Sequence, residues 1–121
     1  MISLNSYGEW IKFGNSIEGS TAYIEIDTIK ESNGYVYYWV MLNYSERTEY
    51  GDMSGSRYLQ SDCAVGGVKT LSIVFHKKPM GEGDSETYNP PPEWEYPRPG
   101  TIYSATTNYV CDYVNSSYMF R

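Results

Sequence analysis

The sequence predicts an α+β domain, an antiparallel sheet of about five to six strands followed by one C-terminal helix packed on it. Three observations carry this reading. Short runs with an apolar residue at every second position recur between Trp10 and Lys78. All six prolines then fall between Pro79 and Gly100, where regular structure should mostly give way to turns and extended chain. Beyond Gly100 the apolar spacing changes to that of a helix.

The first strand is expected in "GEWIKFG", with Ile11 and Phe13 on one face and Trp10 and Lys12 on the other. In "STAYIEID" Ala22, Ile24 and Ile26 alternate with Tyr23, Glu25 and Asp27, the pattern of a strand dry on one side. Asn33-Gly34 supplies the positive backbone angles of a tight hairpin turn, so the second and third strands should pair. The third, "YVYYWVMLNY", places Val36, Tyr38, Val40 and Leu42 on one face and Tyr37, Trp39 and Met41 on the other. Apolar residues on both faces mark a central strand.

A fourth strand runs through "GSRYLQSDC", and a fifth through "VKTLSIVFHKK", where Leu71, Ile73 and Phe75 alternate with Thr70, Ser72 and Val74; Gly66-Gly67 turns the chain between them. Within the proline-rich stretch an edge strand survives at Trp94 to Tyr96. From 101 to 114 Ile102, Thr106, Tyr109, Val110 and Tyr113 recur at helical spacing, with Thr101 as the cap. Thr, Tyr and Val are modest helix formers, so packing on the sheet must hold this helix.

The length of 121 residues fits a single domain, read as 1–121 with a core at 9–114 and a tail at 115–121. Leu, Ile, Val and Phe make up less than a fifth of the chain, but 14 tyrosines compensate, since each ring buries a large apolar area and leaves only its hydroxyl to be satisfied. A net charge of -6 disfavours nucleic acid as a partner, because phosphate binders cluster Lys and Arg. No apolar run is long enough for a transmembrane helix. "MISLNSYGEW" lacks the basic start and apolar segment of a secretory signal, so either the protein stays inside the cell or its signal has been removed. Cys63 and Cys111 are too far apart for a metal knuckle or a CxxC motif, which leaves one disulfide or two buried thiols.

Each candidate for chemistry has a plainer reading that wins. His76 has no motif that brings it a nucleophile or acid, and reads as an ordinary strand-end residue. "GEG" at 81–83 lacks the ending of a phosphate loop, and "EGDSE" at 82–86 lacks the spacing of a calcium loop. Both are turns. Glu25 and Asp27 could be an acid–base pair but read as solvent-facing strand residues. Cys63 as a nucleophile would need a histidine that cannot be located relative to it. Lys77-Lys78 with Tyr88 could grip a nucleic-acid strand, yet in so acidic a chain they read as a solvated strand end. No catalytic residue, metal site or cofactor is therefore expected.

Surface recognition remains. Tyr35, Tyr37 and Trp39 share a face that a single helix can leave uncovered, and read as an interface, as a second layer of the protein's own core, or as a surface covered by the proline-rich loop. Trp94 and Tyr96 sit in a rigid proline segment that is either a binding loop or a cover for a sheet edge. With Lys77 and Lys78 these are the candidate binding residues.

In the succession Trp10, "YIEIDTIK", "NGYVYYWVMLNY", "YLQSDC", "KTLSIVFHKKPMGEG", Trp94 with "YPRPG", and "YVC", the chain resembles the surface-adhesin protein E-like family of small exported bacterial proteins over about residues 9 to 111. The resemblance implies an antiparallel sheet of about six strands with a C-terminal helix, and a single disulfide between Cys63 and Cys111. It also implies export to the periplasm, outer-membrane surface or medium, and a non-enzymatic role in binding proteins such as those of the extracellular matrix or serum, or in self-association. The alternative from a different class is an assembly subunit, or an intracellular inhibitor of the phage type, acting through an acidic, Tyr-rich surface.

Overall fold

The structure, a computed structural model of the chain, describes residues 10–16 and 19–119, the last four by backbone only. The strands are β1 (Trp10–Asn15), β2 (Thr21–Glu25), β3 (Lys30–Ser32), β4 (Tyr35–Asn43), β5 (Ser54–Asp62), β6 (Gly67–His76), β7 (Ser85–Tyr88) and β8 (Trp94–Glu95), and the helix is α1 (Ile102–Met119). All pairings are antiparallel, in the order β1-β2-β4-β5-β6-β7, with short β3 beside β4 and β8 beside β6. The first residue of the expected core, at 9, lies outside the described residues.

Asn33 (φ 54°) and Gly34 (φ 86°) make the two-residue turn that folds β3 onto β4 with Ser32 opposite Tyr35. The 3-10 turn Ile26–Thr28 ends β2 and crosses to β3. Thr28 fixes it, its hydroxyl donating to the Glu25 carbonyl (2.7 Å) and accepting from the Trp39 amide (3.3 Å). Ile26 therefore leaves the strand alternation and is half-buried in this turn.

Alternation on β2 and β4 aims Ala22, Ile24, Val36, Tyr38 and Val40 at the helix, where Leu59, Val68 and Val110 complete the core and Phe13, Ile29, Tyr103 and Val114 pack around it. Tyr38 is 0% exposed. Burial raises its phenol pKa, but its hydroxyl is bonded to Ser61 Oγ (2.7 Å), which in turn bonds Thr107 Oγ1 (3.2 Å). Thr106 is also fully buried, its hydroxyl donating to the Tyr103 carbonyl. The buried stripe of the helix thus runs through Tyr103, Thr106, Thr107, Val110 and Val114, rotated from the expected one, and Tyr109 and Tyr113 are exposed. Tyr109 still meets Phe13 edge-on, ring centroids 5.5 Å apart. Thr101 caps the helix as expected, its hydroxyl accepting from the Ser104 amide, and the helix continues past 114 to Met119.

Cys63, in the β5–β6 turn, is bonded to Cys111 on α1 across 48 positions, with Cα atoms 5.8 Å apart. Ser61 and Thr107 lie close by in sequence, so one stretch of β5 holds the helix both covalently and by hydroxyl bonds.

Four further expectations are corrected. A register shift between Lys12 and Gly14 breaks the alternation of β1, so Phe13 is half-buried while Ile11 is 38% exposed. A second shift, opposite Tyr58 and Leu59, puts Leu71 out of step, and the core side of β6 is carried by Val68 and Ile73. Glu25 does not face solvent with Asp27; it is 8% exposed, and burial, then the Asp27 charge, raises its carboxyl above its ordinary value. The proline-rich stretch also holds more regular structure than expected, because β7 pairs with β6 ahead of β8. No helix of the described residues is long and apolar enough to cross a membrane.

Replacing both cysteines with alanine is expected to lower the unfolding free energy by about 3 to 4 kcal/mol, seen as an earlier urea midpoint under non-reducing conditions. Tyr38→Phe should cost about 1 kcal/mol, leaving Ser61 and Thr107 bonded to each other; a variant as stable as the parent would remove the hydroxyl chain from the account of helix docking.

Candidate functional site

The side of the sheet opposite α1 is covered only at one end. There the chain turns back after β6 through the 3-10 turn Pro79–Gly81. Its Met80 amide donates to Asn43 Oδ1 (2.8 Å), its Gly81 amide to Ser54 Oγ (2.9 Å), and Ser54 Oγ donates to the Lys78 carbonyl (2.7 Å). Met80 takes a left-handed backbone (φ 59°) to make these bonds. Met41, Ser54 and Ser56 are buried beneath this roof.

Toward the other end the face stays open. Tyr35, Tyr37 and Trp39 project from β4, opposite Asp62, Gln60 and Tyr58 of β5. Trp39 and Tyr58 are 5.1 Å apart between ring centroids, and Tyr37 and Tyr58 are 6.2 Å apart, with planes within 31°. Register places Lys69 beside Gln60 and Trp94 beside Lys69. Trp94 meets Tyr35 at 5.6 Å, and Lys69 Nζ sits 4.5 Å from the Trp94 ring centroid. The result is a patch of five half-buried rings on one face, in two contacting groups, Tyr37–Tyr58–Trp39 and Tyr35–Trp94. Tyrosine and tryptophan there present apolar area with polar tips at a small loss of side-chain entropy.

The structure brings together four of the seven residues expected to bind, Tyr35, Tyr37, Trp39 and Trp94. Tyr96, two positions on, packs with Trp94 against Gly67 at the margin of the patch, and also lines a cleft on the helix side. Lys77 and Lys78 stand past the roofed end. Lys77 pairs with Asp52 (3.0 Å) and donates to the Tyr50 carbonyl (2.9 Å), so its charge secures the β4–β5 loop. Tyr58 and Lys69 were missing from the sequence-based set. Strand alternation alone could have placed Tyr58 on one face or the other, but its proximity to Trp39 depends on register.

His76 has a partner that no motif announced. Its Nε2 shares a 3.0 Å hydrogen bond with Ser56 Oγ. Burial lowers the imidazole pKa, and the Asp52 carboxylate works against that shift. The set resembles a serine–histidine–aspartate arrangement in composition only. Asp52 is paired with Lys77, Ser56 is 6% exposed, and Gly81 lies against His76 Nε2 and the Met41 sulfur. A substrate carbonyl has no approach to Ser56 Oγ under this roof. Among the described residues no three of His, Cys, Asp and Glu are grouped to hold a metal.

The lowered His76 pKa fixes a sign. The unfolded chain takes up this proton more readily than the folded one, so the stability tied to neutral His76 is complete above its ordinary value of 6.5 and is lost as pH falls through the folded value. Between about pH 7.5 and about pH 5 the parent should therefore lose more thermal stability than His76→Gln, which keeps a partner for Ser56 without titrating. Equal losses in calorimetry would count against a buried, neutral His76.

No curated protein sequence matches the chain. Among solved structures, protein E of non-typeable Haemophilus influenzae is similar with a TM-score of 0.67, 17% identity, and coverage of 88% of this chain and 78% of that one. A second crystal form of Haemophilus influenzae protein E gives 0.64 and 16%, covering 85% of this chain and 87% of that one. At such identity these likenesses speak for the shared fold. The family model described as surface-adhesin protein E matches residues 10–112, nearly the whole sheet and most of the helix, and on that match the chain belongs to the surface-adhesin protein E family.

Proposed function

We propose that this chain is a non-enzymatic, surface-associated binding domain that recognises a protein partner through the open aromatic face. One observation carries the reading: five half-buried aromatic rings gather on one sheet face, away from the helix and the Pro79–Gly81 turn. Aromatic residues of this kind supply most of the energy of protein interfaces when a partner excludes water from them. Membership of the surface-adhesin protein E family supports an adhesive role. The partners that follow are extracellular-matrix or serum proteins.

Export is part of the same proposal. Cys63 is an exposed residue, and a disulfide at such a position persists in the oxidising compartments outside the cytosol. The acidic chain, at -6, keeps the exposed patch soluble.

The test is biolayer interferometry against immobilised extracellular-matrix and serum proteins, with Tyr58→Ala and Tyr37→Ala as face variants and Tyr50→Ala, 78% exposed and off the face, as control. Saturable binding by the parent and the control is expected, weakened about tenfold or more by each face variant. Binding that is indifferent to both folded face variants would move recognition elsewhere on the molecule. A uniformly negative panel with folded protein would remove the matrix and serum partners.

A further inference from the structure

On the helix side, the sheet and the start of α1 do not close completely. A cleft of about 360 Å³ lies between them, floored by Leu59, Val68 and Thr70 and walled by Tyr103 of the helix and by Tyr96 and Pro97. Its volume falls within the range of small-molecule sites. Arg57 lines this cleft and also a neighbouring hollow with Ile73 and Pro90, and Thr70 and Glu95 are likewise shared by the two spaces.

Arg57 is out of place by the logic of the strand. It occupies the core-facing side of β5, between Val40 and Ile73 in register, where the alternation calls for an apolar residue. It is half-buried. Its guanidinium lies 5.6 Å from the centroid of the Tyr103 ring, and its charge also acts on the Tyr44 phenol. Among the described residues no carboxylate lies within 4.0 Å of it, and it makes no hydrogen bond. A guanidinium presents a rigid fork of donors that fits a carboxylate through two parallel bonds, and here the fork meets a concave, mostly apolar space.

We propose that this cleft binds a small monocarboxylate with an apolar body. Its carboxylate bonds to Arg57 and its body lies on Leu59, Val68 and Tyr96. Three further residues set the charge the site accepts. Arg98 lines the same cleft and adds a second positive charge, while Glu95 lines both spaces and Glu93 the neighbouring hollow. One negative charge is matched by the arginines; a second, further along the ligand, would meet the glutamates. The site therefore selects monocarboxylates over dicarboxylates. Arg57, Leu59 and Val68 lie on the side of the sheet away from the aromatic face, and Tyr96, beside Trp94 over Gly67, stands at the border of the two.

The experiment is an amide NMR titration of the full chain at low salt with 3-phenylpropanoate, repeated with its neutral amide and with phenylsuccinate. The expected result is saturable shifts confined to residues 57–59, 68–70 and 95–103 with the monocarboxylate. Affinity should fall at least tenfold for the amide, and the dicarboxylate should bind more weakly than the monocarboxylate. Arg57→Gln should abolish the effect, and Arg98→Ala, at an exposed position, should weaken it. If Arg57→Gln does not fold, the comparison of acid with amide on the parent chain decides alone. Shifts that never saturate, equal binding of acid and amide, or shifts restricted to the aromatic face would overturn the proposal.

Discussion

The rest of the structure depends on how the helix is fastened to the middle of the sheet. Tyr38 fills the centre of the core, and its hydroxyl would be an unsatisfied buried group without Ser61 Oγ, which also reaches Thr107 on the helix. The chain of hydroxyls sets the rotation of the helix, because it requires the Thr106–Thr107 side to face the sheet. The Cys63–Cys111 bond holds the same region against separation. A core this poor in aliphatic residues is stabilised by tyrosine rings and satisfied hydroxyls, and the two are inseparable: each buried ring brings a polar atom that must find a partner.

Docking the only helix of the described residues on one face decides the fate of the other. A central strand with apolar residues on both sides needs two covers, and α1 supplies one. The second cover is partial. The Pro79–Gly81 turn closes the end that holds Met41, Ser54 and Ser56, and it does so with directed hydrogen bonds and a left-handed Met80. Where this roof stops, the rings of Tyr35, Tyr37, Trp39, Tyr58 and Trp94 take over, held by one another.

Much of the sheet was legible because alternation and turn chemistry are local. β2, β4, β5 and β6 each announce themselves by period two, and Asn33-Gly34 specifies its hairpin. What stayed hidden depends on neighbours distant in the chain. β7 reads "SETY", with all four residues exposed; neither face is buried, so no alternation exists to be found, and its place is set by pairing with β6. Glu25 looks like a solvent residue until β1 and the turn after β2 are folded around it. The helix appeared rotated because buried threonines carry no apolar signal, while exposed tyrosines do. At the site, Tyr35, Tyr37 and Trp39 could be grouped because they share one strand. Tyr58 joined them only through the β4–β5 register, and Lys69 through the β5–β6 register, which is interrupted at Leu71.

The same geometry explains why recognition is assigned to a face and not to an edge. β7 is the outer strand beside β6, and an unprotected outer strand invites another chain to pair with it. Here the hairpin carries Glu82, Asp84 and Glu86, and Pro90, Pro91 and Pro92 follow directly, so an incoming strand would meet repulsion and then a run of residues without amide donors. Pairing of another chain with this edge is thereby disfavoured, which supports the proposed recognition through side chains. The aromatic face offers those contacts already ordered, so a partner settling there loses little of the entropy that a mobile loop would have to give up.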